Sequence, residues 1–293
     1  MSGAPQRAAR RDVQAERRFC CETARQTVAC LHAELTLYPK PGLVSPVDTG
    51  SHDDMTASTF MRSLFSLRRY FARIAQAGID NAPFAVLRQL GIEAEQRMLA
   101  ATKGVNTHRG AIFCLGLLCA ARGQAYAQGV TPSAQALRAL LLIRWGEALC
   151  AHANEDRAQS HGQRVAALHA AGGAREEAAL GLPSVFEVGL PSLQRALGAG
   201  RSMQMARIDA LFTLMAHVSD TNVYHRGGVQ GAALVREQAR CFLADGGTGQ
   251  PEWRRRAIEC HQLFVAHRLS PGGAADLLSA TLLLHAFISR GIL

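Results

Sequence analysis

The chain has 293 residues, 48% of them hydrophobic and 19% charged, with a formal charge of +9. That length allows one large domain or two, and the composition is that of a globular protein, not a disordered one. The positive charge suits an anionic partner, but 6% aromatics and no zinc-finger, RNP-type or Lys-rich pattern argue against nucleic acid and favour a phosphorylated small molecule.

Arg7, Arg10, Arg11, Arg17 and Arg18 cluster in a leader without an apolar core, which is not a secretory signal. The expected organisation is a flexible basic segment over 1–18 and an all-helical catalytic domain over 19–293. The longest apolar runs, Ala139–Ile143 and Thr281–Leu284, fall far short of the roughly 20 residues that span a bilayer, so a soluble protein without membrane contact is expected. The cysteines at 20, 21, 30, 114, 119, 150, 241 and 260 form no CxxC pair. Inside apolar helical runs they act as small hydrophobes, which fits a reducing cytoplasm.

From Glu16 to Leu37 the residues are helix formers, with Cys20, Ala24, Thr27, Leu31 and Leu35 on one stripe. Glu34 sits in the last turn, against the helix dipole. The helical pattern then stops over Tyr38 to Met55, where Pro39, Pro41, Pro46, Gly42 and Gly50 rule out continuous helix. This segment carries Lys40, Asp48, His52, Asp53 and Asp54, and a long irregular loop of that kind is usually functional.

A helix over Thr56 to Gln76, capped by Asp54 or Thr56, and one opened by Pro83 and ending near Ala101 follow. Lys103–Gly110 is a second polar island, with Asn106, Thr107, His108 and Arg109 ahead of an apolar helix over Ala111–Arg122. Free amides and the helix dipole suit such a loop to anions. Thr131-Pro132 opens a helix to about His152, and the polar stretch to Gly173 contains His161, Arg164 and His169. Arg175, Glu176 and Glu177 stand at a helix start that stops at Gly181–Pro183. Met203 to Val218 is helical and runs into a loop-like island with Asp220, Asn222, His225 and Arg226 before Gly227-Gly228. Helices over about Val229–Ala244, Glu252–Arg268 and a last one ending near Ser289 complete the chain. No stretch alternates with period two. The expected fold is all-α, a single-domain bundle of about ten helices, with the islands converging at one end.

The islands supply hard oxygen ligands (Glu34, Asp53, Asp54, Asp220, Asn222), cations (Lys40, Arg109, Arg175, Arg226) and imidazoles (His52, His108, His161). Oxygen donors without a Cys/His set favour Mg²⁺ over Zn²⁺, and Mg²⁺ with several cations suits a polyphosphate. The His52-Asp53 dipeptide leaves a helical metal-dependent phosphohydrolase as one alternative, and a non-catalytic nucleotide-binding module as another.

In order along the chain, PKPGLV with the following D, G, H and DM, then GVNTH.G, Arg175–Glu177 with GLPSV, DTN with RGG, and SPGGAADLL resemble the triphosphoribosyl-dephospho-CoA synthase family. The resemblance runs from about Thr23 to the C-terminus. It implies transfer of the triphosphoribosyl part of ATP to the 2′-hydroxyl of 3′-dephospho-CoA with release of adenine, forming the prosthetic-group precursor for citrate lyase or malonate decarboxylase carrier proteins. It also implies a carrier-protein holo-transferase that takes the product, with a lean to malonate decarboxylase; a homo-oligomer is compatible with it. Two departures stand out. Arg109 occupies a position where the family is expected to carry Lys, and Arg175-Glu176-Glu177 stands where Arg-Gly-Glu is expected, which puts Glu177 in the family position and leaves Glu176 open.

On this view Mg²⁺ falls to Asp53, Asp54, Asp220 and Asn222. The triphosphate and substrates fall to Lys40, His52, Asn106, Thr107, His108, Arg109, His161, Arg175 and Arg226. Glu34, Asp48 and Glu177 are the candidates for the base that activates the hydroxyl.

Overall fold

The structure, a computed structural model, describes residues 12–159 and 173–289. These contain eleven α-helices and no strand. The first five are α1 (Val13–Leu35), α2 (Ala57–Ile79), α3 (Phe84–Ala101), α4 (Arg109–Ala127) and α5 (Ala134–Gln159). After the short α6 (Ala174–Ala179) and a π-helical turn (Ser184–Gly189) come α7 (Leu190–Gly198) and α8 (Met203–His217). The last three are α9 (Thr221–Ala244), α10 (Trp253–Ala266) and α11 (Gly272–Ile288). The all-α expectation holds.

Most boundaries follow from the caps. Asp12 accepts from the amides of Gln14 and Ala15, each at 3.0 Å, so α1 begins at Val13 and residues 13–18 are helical, not part of a flexible leader. Thr56, not Asp54, caps α2, through a reciprocal pair with Thr59. α4 starts at Arg109, two residues earlier than expected, with His108 at the cap position. α5 is entered through Ser133, whose hydroxyl accepts from Ala136 at 3.1 Å, and it continues past His152.

The largest difference lies at Asp220. Its carboxylate accepts from the Asn222 amide at 2.9 Å and starts α9, so Asn222, His225 and Arg226 ride on helical turns. The helix is broken at Gly228 (φ 60°, ψ −157°), where the sequence pattern suggested a fresh start. The π-helical turn and α7 occupy a stretch to which the sequence reading assigned no element; Val185, Phe186, Leu190 and Leu193 bury it.

α4 is the centre of the core, packed by α2, α3, α5 and α11. It is long and apolar enough to cross a membrane by length and composition alone. Here it is enclosed by the other helices, and Leu115, Leu118, Cys119 and Ala120 have no exposure. α2 and α4 run parallel. Ser63 meets His108 at one end, and at the other a Cβ on Gly78 or Gly123 would strike the facing backbone at Ala120 or Ala75. This close approach puts the starts of both helices at the same end of the bundle, where the polar islands gather.

Candidate active site

At that end lies a cavity of about 1560 Å³. The C-terminal turn of α1 and the starts of α4, α6, α9 and α11 all contribute to its lining, together with the loop before α2. One wall is apolar, with Phe60, Phe84, Leu87, Phe113 and Leu117; the remainder is polar and ionisable. The amino ends of α4, α9 and α11 turn the positive ends of their dipoles toward this space, although Asn106, Asp220 and Asp276 already take several of their amides.

The loop from Tyr38 to Met55 forms one wall. Lys40 is 2% exposed, and its Nζ donates to Glu34 Oε1 at 2.6 Å. The phosphate ligand and the base proposed from sequence are therefore one buried ion pair. Gly42 has φ +68°, and a Cβ there would collide with the Leu269 carbonyl, so the turn is tied to the segment before α11. Ser51 extends that tie by donating to Leu269 O at 2.6 Å.

Asp48 is used by the loop itself. One oxygen accepts from the Gly50 amide at 2.9 Å, the other lies 3.3 Å from His261 Nε2, and the residue does not line the cavity. It closes a turn and is corrected from the list of bases. Asp53 and Asp54 are exposed and also lie off the cavity lining.

His52 does line the cavity. Arg226 Nη2 donates to its Nδ1 at 3.0 Å, which leaves Nε2–H to donate to Ser270 Oγ at 2.8 Å. Burial and the Arg226 charge hold its pKa below the usual value. With both nitrogens engaged and Asp53 pointing to solvent, the His52-Asp53 dipeptide is not the metal-holding pair of a phosphohydrolase.

His108 is buried at the start of α4. Thr107 Oγ1 donates to Ser63 Oγ at 2.7 Å, and Ser63 Oγ lies 2.6 Å from His108 Nδ1. His108 Nδ1 is thus engaged by Ser63, while its buried Nε2 has no partner in the protein. Burial, then the Lys40 charge, lowers the pKa to about 3. His108 is a neutral imidazole, not a cation. Arg109 is paired with Glu95 at 2.5 Å, both of them lining the cavity, while Asn106 accepts from the Arg109 amide at 3.3 Å.

The floor is acidic. Asp220 is buried, with Oδ1 on the Asn222 amide and Oδ2 on the Ala274 amide at 3.1 Å. Burial raises its pKa against those donors. Glu177 accepts from the Ser184 amide at 2.6 Å and hydroxyl at 2.9 Å, and burial again raises its pKa. Beside them stands Asp276, which sequence reasoning did not single out. It lines the cavity with part of its surface open to it; burial, then the charges of Glu34 and Asp220, push its carboxyl well above the usual range. The available signal was a lone acid in an otherwise apolar helix.

The structure thus gathers Glu34, Lys40, His52, Asn106, Thr107, His108, Arg109, Arg175, Glu176, Glu177, Asp220, Asn222 and Arg226 around one cavity. It leaves Asp48, Asp53 and Asp54 outside, and His161 lies outside the described residues. No group of three or more His, Cys, Asp or Glu side chains among the described residues is placed to hold a metal ion.

Residues 20–291 match the family described as ATP:dephospho-CoA triphosphoribosyl transferase. The chain is 42% identical over 252 residues to a probable 2-(5''-triphosphoribosyl)-3'-dephosphocoenzyme-A synthase of Acinetobacter calcoaceticus, covering 86% of each chain. It is 43% identical to a probable synthase of the same description from Pseudomonas putida (88% of this chain, 91% of the relative). It is 38% identical over 284 residues to the synthase of Pectobacterium atrosepticum (93% and 91%). No solved structure matches the chain. On this agreement over nearly its whole length, the chain belongs to the ATP:dephospho-CoA triphosphoribosyl transferase family.

Proposed function

We propose that the cavity joins the triphosphoribosyl moiety of ATP to the 2′-hydroxyl of 3′-dephospho-CoA and releases adenine. The observation that carries this reading, beyond family membership, is the cavity itself. At about 1560 Å³ it exceeds the roughly 300–1,000 Å³ of a single-ligand pocket, and it offers helix amino ends and Arg226 to an anion above a floor of carboxylates. A triphosphate and a developing oxocarbenium ion need those opposite environments in one site.

In this mechanism Arg226 and the positive dipole ends of α4 and α9 hold the triphosphate. His108, neutral, shapes the wall without adding charge, and Asn106, Thr107 and Arg175 position the substrate. Glu34, held by Lys40, accepts the proton of the attacking hydroxyl. Glu177, whose two oxygens are spent on Ser184, shapes the wall and is not the base.

The donors do not fit a resident Mg²⁺ centre. Asp53 and Asp54 are off the cavity, and Asp220 gives its oxygens to helix amides. Mg²⁺ is better read as part of the substrate, bound to phosphate oxygens and water as it commonly is. The adenine-free product would pass to a carrier-protein holo-transferase, with malonate decarboxylase as the pathway of choice. Eight unpaired cysteines support a reducing cytoplasm.

The deciding assay combines the protein with ATP, Mg²⁺ and dephospho-CoA. Free adenine and a product heavier by triphosphoribose are expected, with loss of turnover on chelation and little change in Asp53→Asn. Phosphate release in place of adenine would sink the reading.

A further inference from the structure

Transfer at C1′ needs a proton delivered to the departing purine as well as one removed from the attacking hydroxyl. The base has a candidate in Glu34; the acid has none among the residues picked out from sequence. Asp276, near the start of α11, has the placement for it. Opposite it is Gly110, where a Cβ would collide with Asp276 Oδ2. The missing side chain leaves the carboxyl room, and the amide of the next residue, Ala111, donates to it.

The ionisable groups around Asp276 come from three further elements. Glu34 faces it from α1 with Lys40 behind, Asp220 from the cap of α9, and Cys114 from α4. Resting on the transferase reading above, we propose that Asp276 is the general acid of the reaction, giving its proton to a ring nitrogen of adenine as the C1′–N9 bond breaks. The bonding pair leaves with the purine, and Asp276 becomes a carboxylate beside the positive sugar. The O2′–C1′ bond forms and the hydroxyl proton passes to Glu34. One proton has entered adenine and one has left the hydroxyl, so transfer from Glu34 to Asp276, directly or through water, restores the starting state.

Burial and the two neighbouring carboxylates favour the protonated form of Asp276, while Glu34 is held in an ion pair. A protonated carboxyl beside an ion-paired carboxylate gives the site one acid and one base.

The test compares two donors in the full-length enzyme: ATP, and a ribose 5-triphosphate bearing p-nitrophenolate at C1, a leaving group that needs no proton. Asp276→Asn is expected to lower kcat with ATP by about 10²–10⁴-fold and to leave the nitrophenyl donor nearly untouched, with KM values preserved. Wild-type kcat/KM with ATP should fall as pH rises through the Asp276 pKa, because the acid must carry its proton; the nitrophenyl donor should lack this limb. An equal loss on both donors, or undiminished ATP turnover in the variant, overturns the proposal. If Asp276→Asn does not fold, the wild-type pH comparison decides alone, and identical limbs overturn the proposal. A wild-type enzyme that releases no adenine overturns the transferase reading itself, which is a different result from a loss confined to the variant.

Discussion

Lys40 and Glu34 are a buried pair, with side chains 2% and 6% exposed. Such a pair contributes little net stability, yet removing one member strands a charge and costs about 3–5 kcal/mol. Glu34→Gln and Lys40→Met should each lose stability of that order in urea unfolding, and the double variant should regain most of it. His108 has a different signature. Its pKa falls from an ordinary value near 6.5 to about 3 on folding. Below about pH 6.5 the unfolded chain takes up a proton that the folded chain refuses. The stability tied to this group is therefore complete above that pH and declines toward about pH 3, by at most about 1.4 kcal/mol per pH unit. His108→Asn keeps a polar partner for Ser63 and cannot titrate. Its unfolding midpoint should fall less than wild type between pH 7 and pH 4.5.

α9 shows how an element can be half legible. Its break is at Gly228, in a backbone region essentially closed to other residues, and a Cβ there would meet nothing within 4 Å. The break angles the first turns so that Arg226 reaches Ser51 O at 2.9 Å and His52 Nδ1 at 3.0 Å. Gly228→Ala should lose about 1–3 kcal/mol from backbone strain alone and raise KM for ATP more than it lowers kcat, as thermal melts and initial rates would show. From sequence, Gly227-Gly228 marked the break correctly, because glycine pairs interrupt helices. The turns before it looked like loop, since nothing local reveals that Asp220 is a cap and that Asn222 and Arg226 continue a helix. The amphipathic stripes of α1 and α2 were readable because their polar faces contrast with their apolar ones. α7 was not, being only nine residues long and continuing directly from the π-helical turn. Asp276 was hidden for a related reason. In a helix apolar on all sides, only the packing of α11 against α4 tells which end faces the cavity.

At the scale of the whole molecule, the formal charge of +9 and the acidic cavity floor have different ranges and different jobs. Exposed cations act at a distance, gathering a polyanionic substrate from solution, and salt screens them over about 8–10 Å near physiological strength. The carboxylates of the floor act at contact distance inside a partly buried space, where screening is weak. The two should separate kinetically. Raising ionic strength from about 50 to about 500 mM, which shortens the Debye length several-fold, should lower kcat/KM for ATP while leaving kcat within about twofold. If kcat fell in step with kcat/KM, salt would be acting on the chemical step, and the division between a cationic approach and an acidic floor would be wrong.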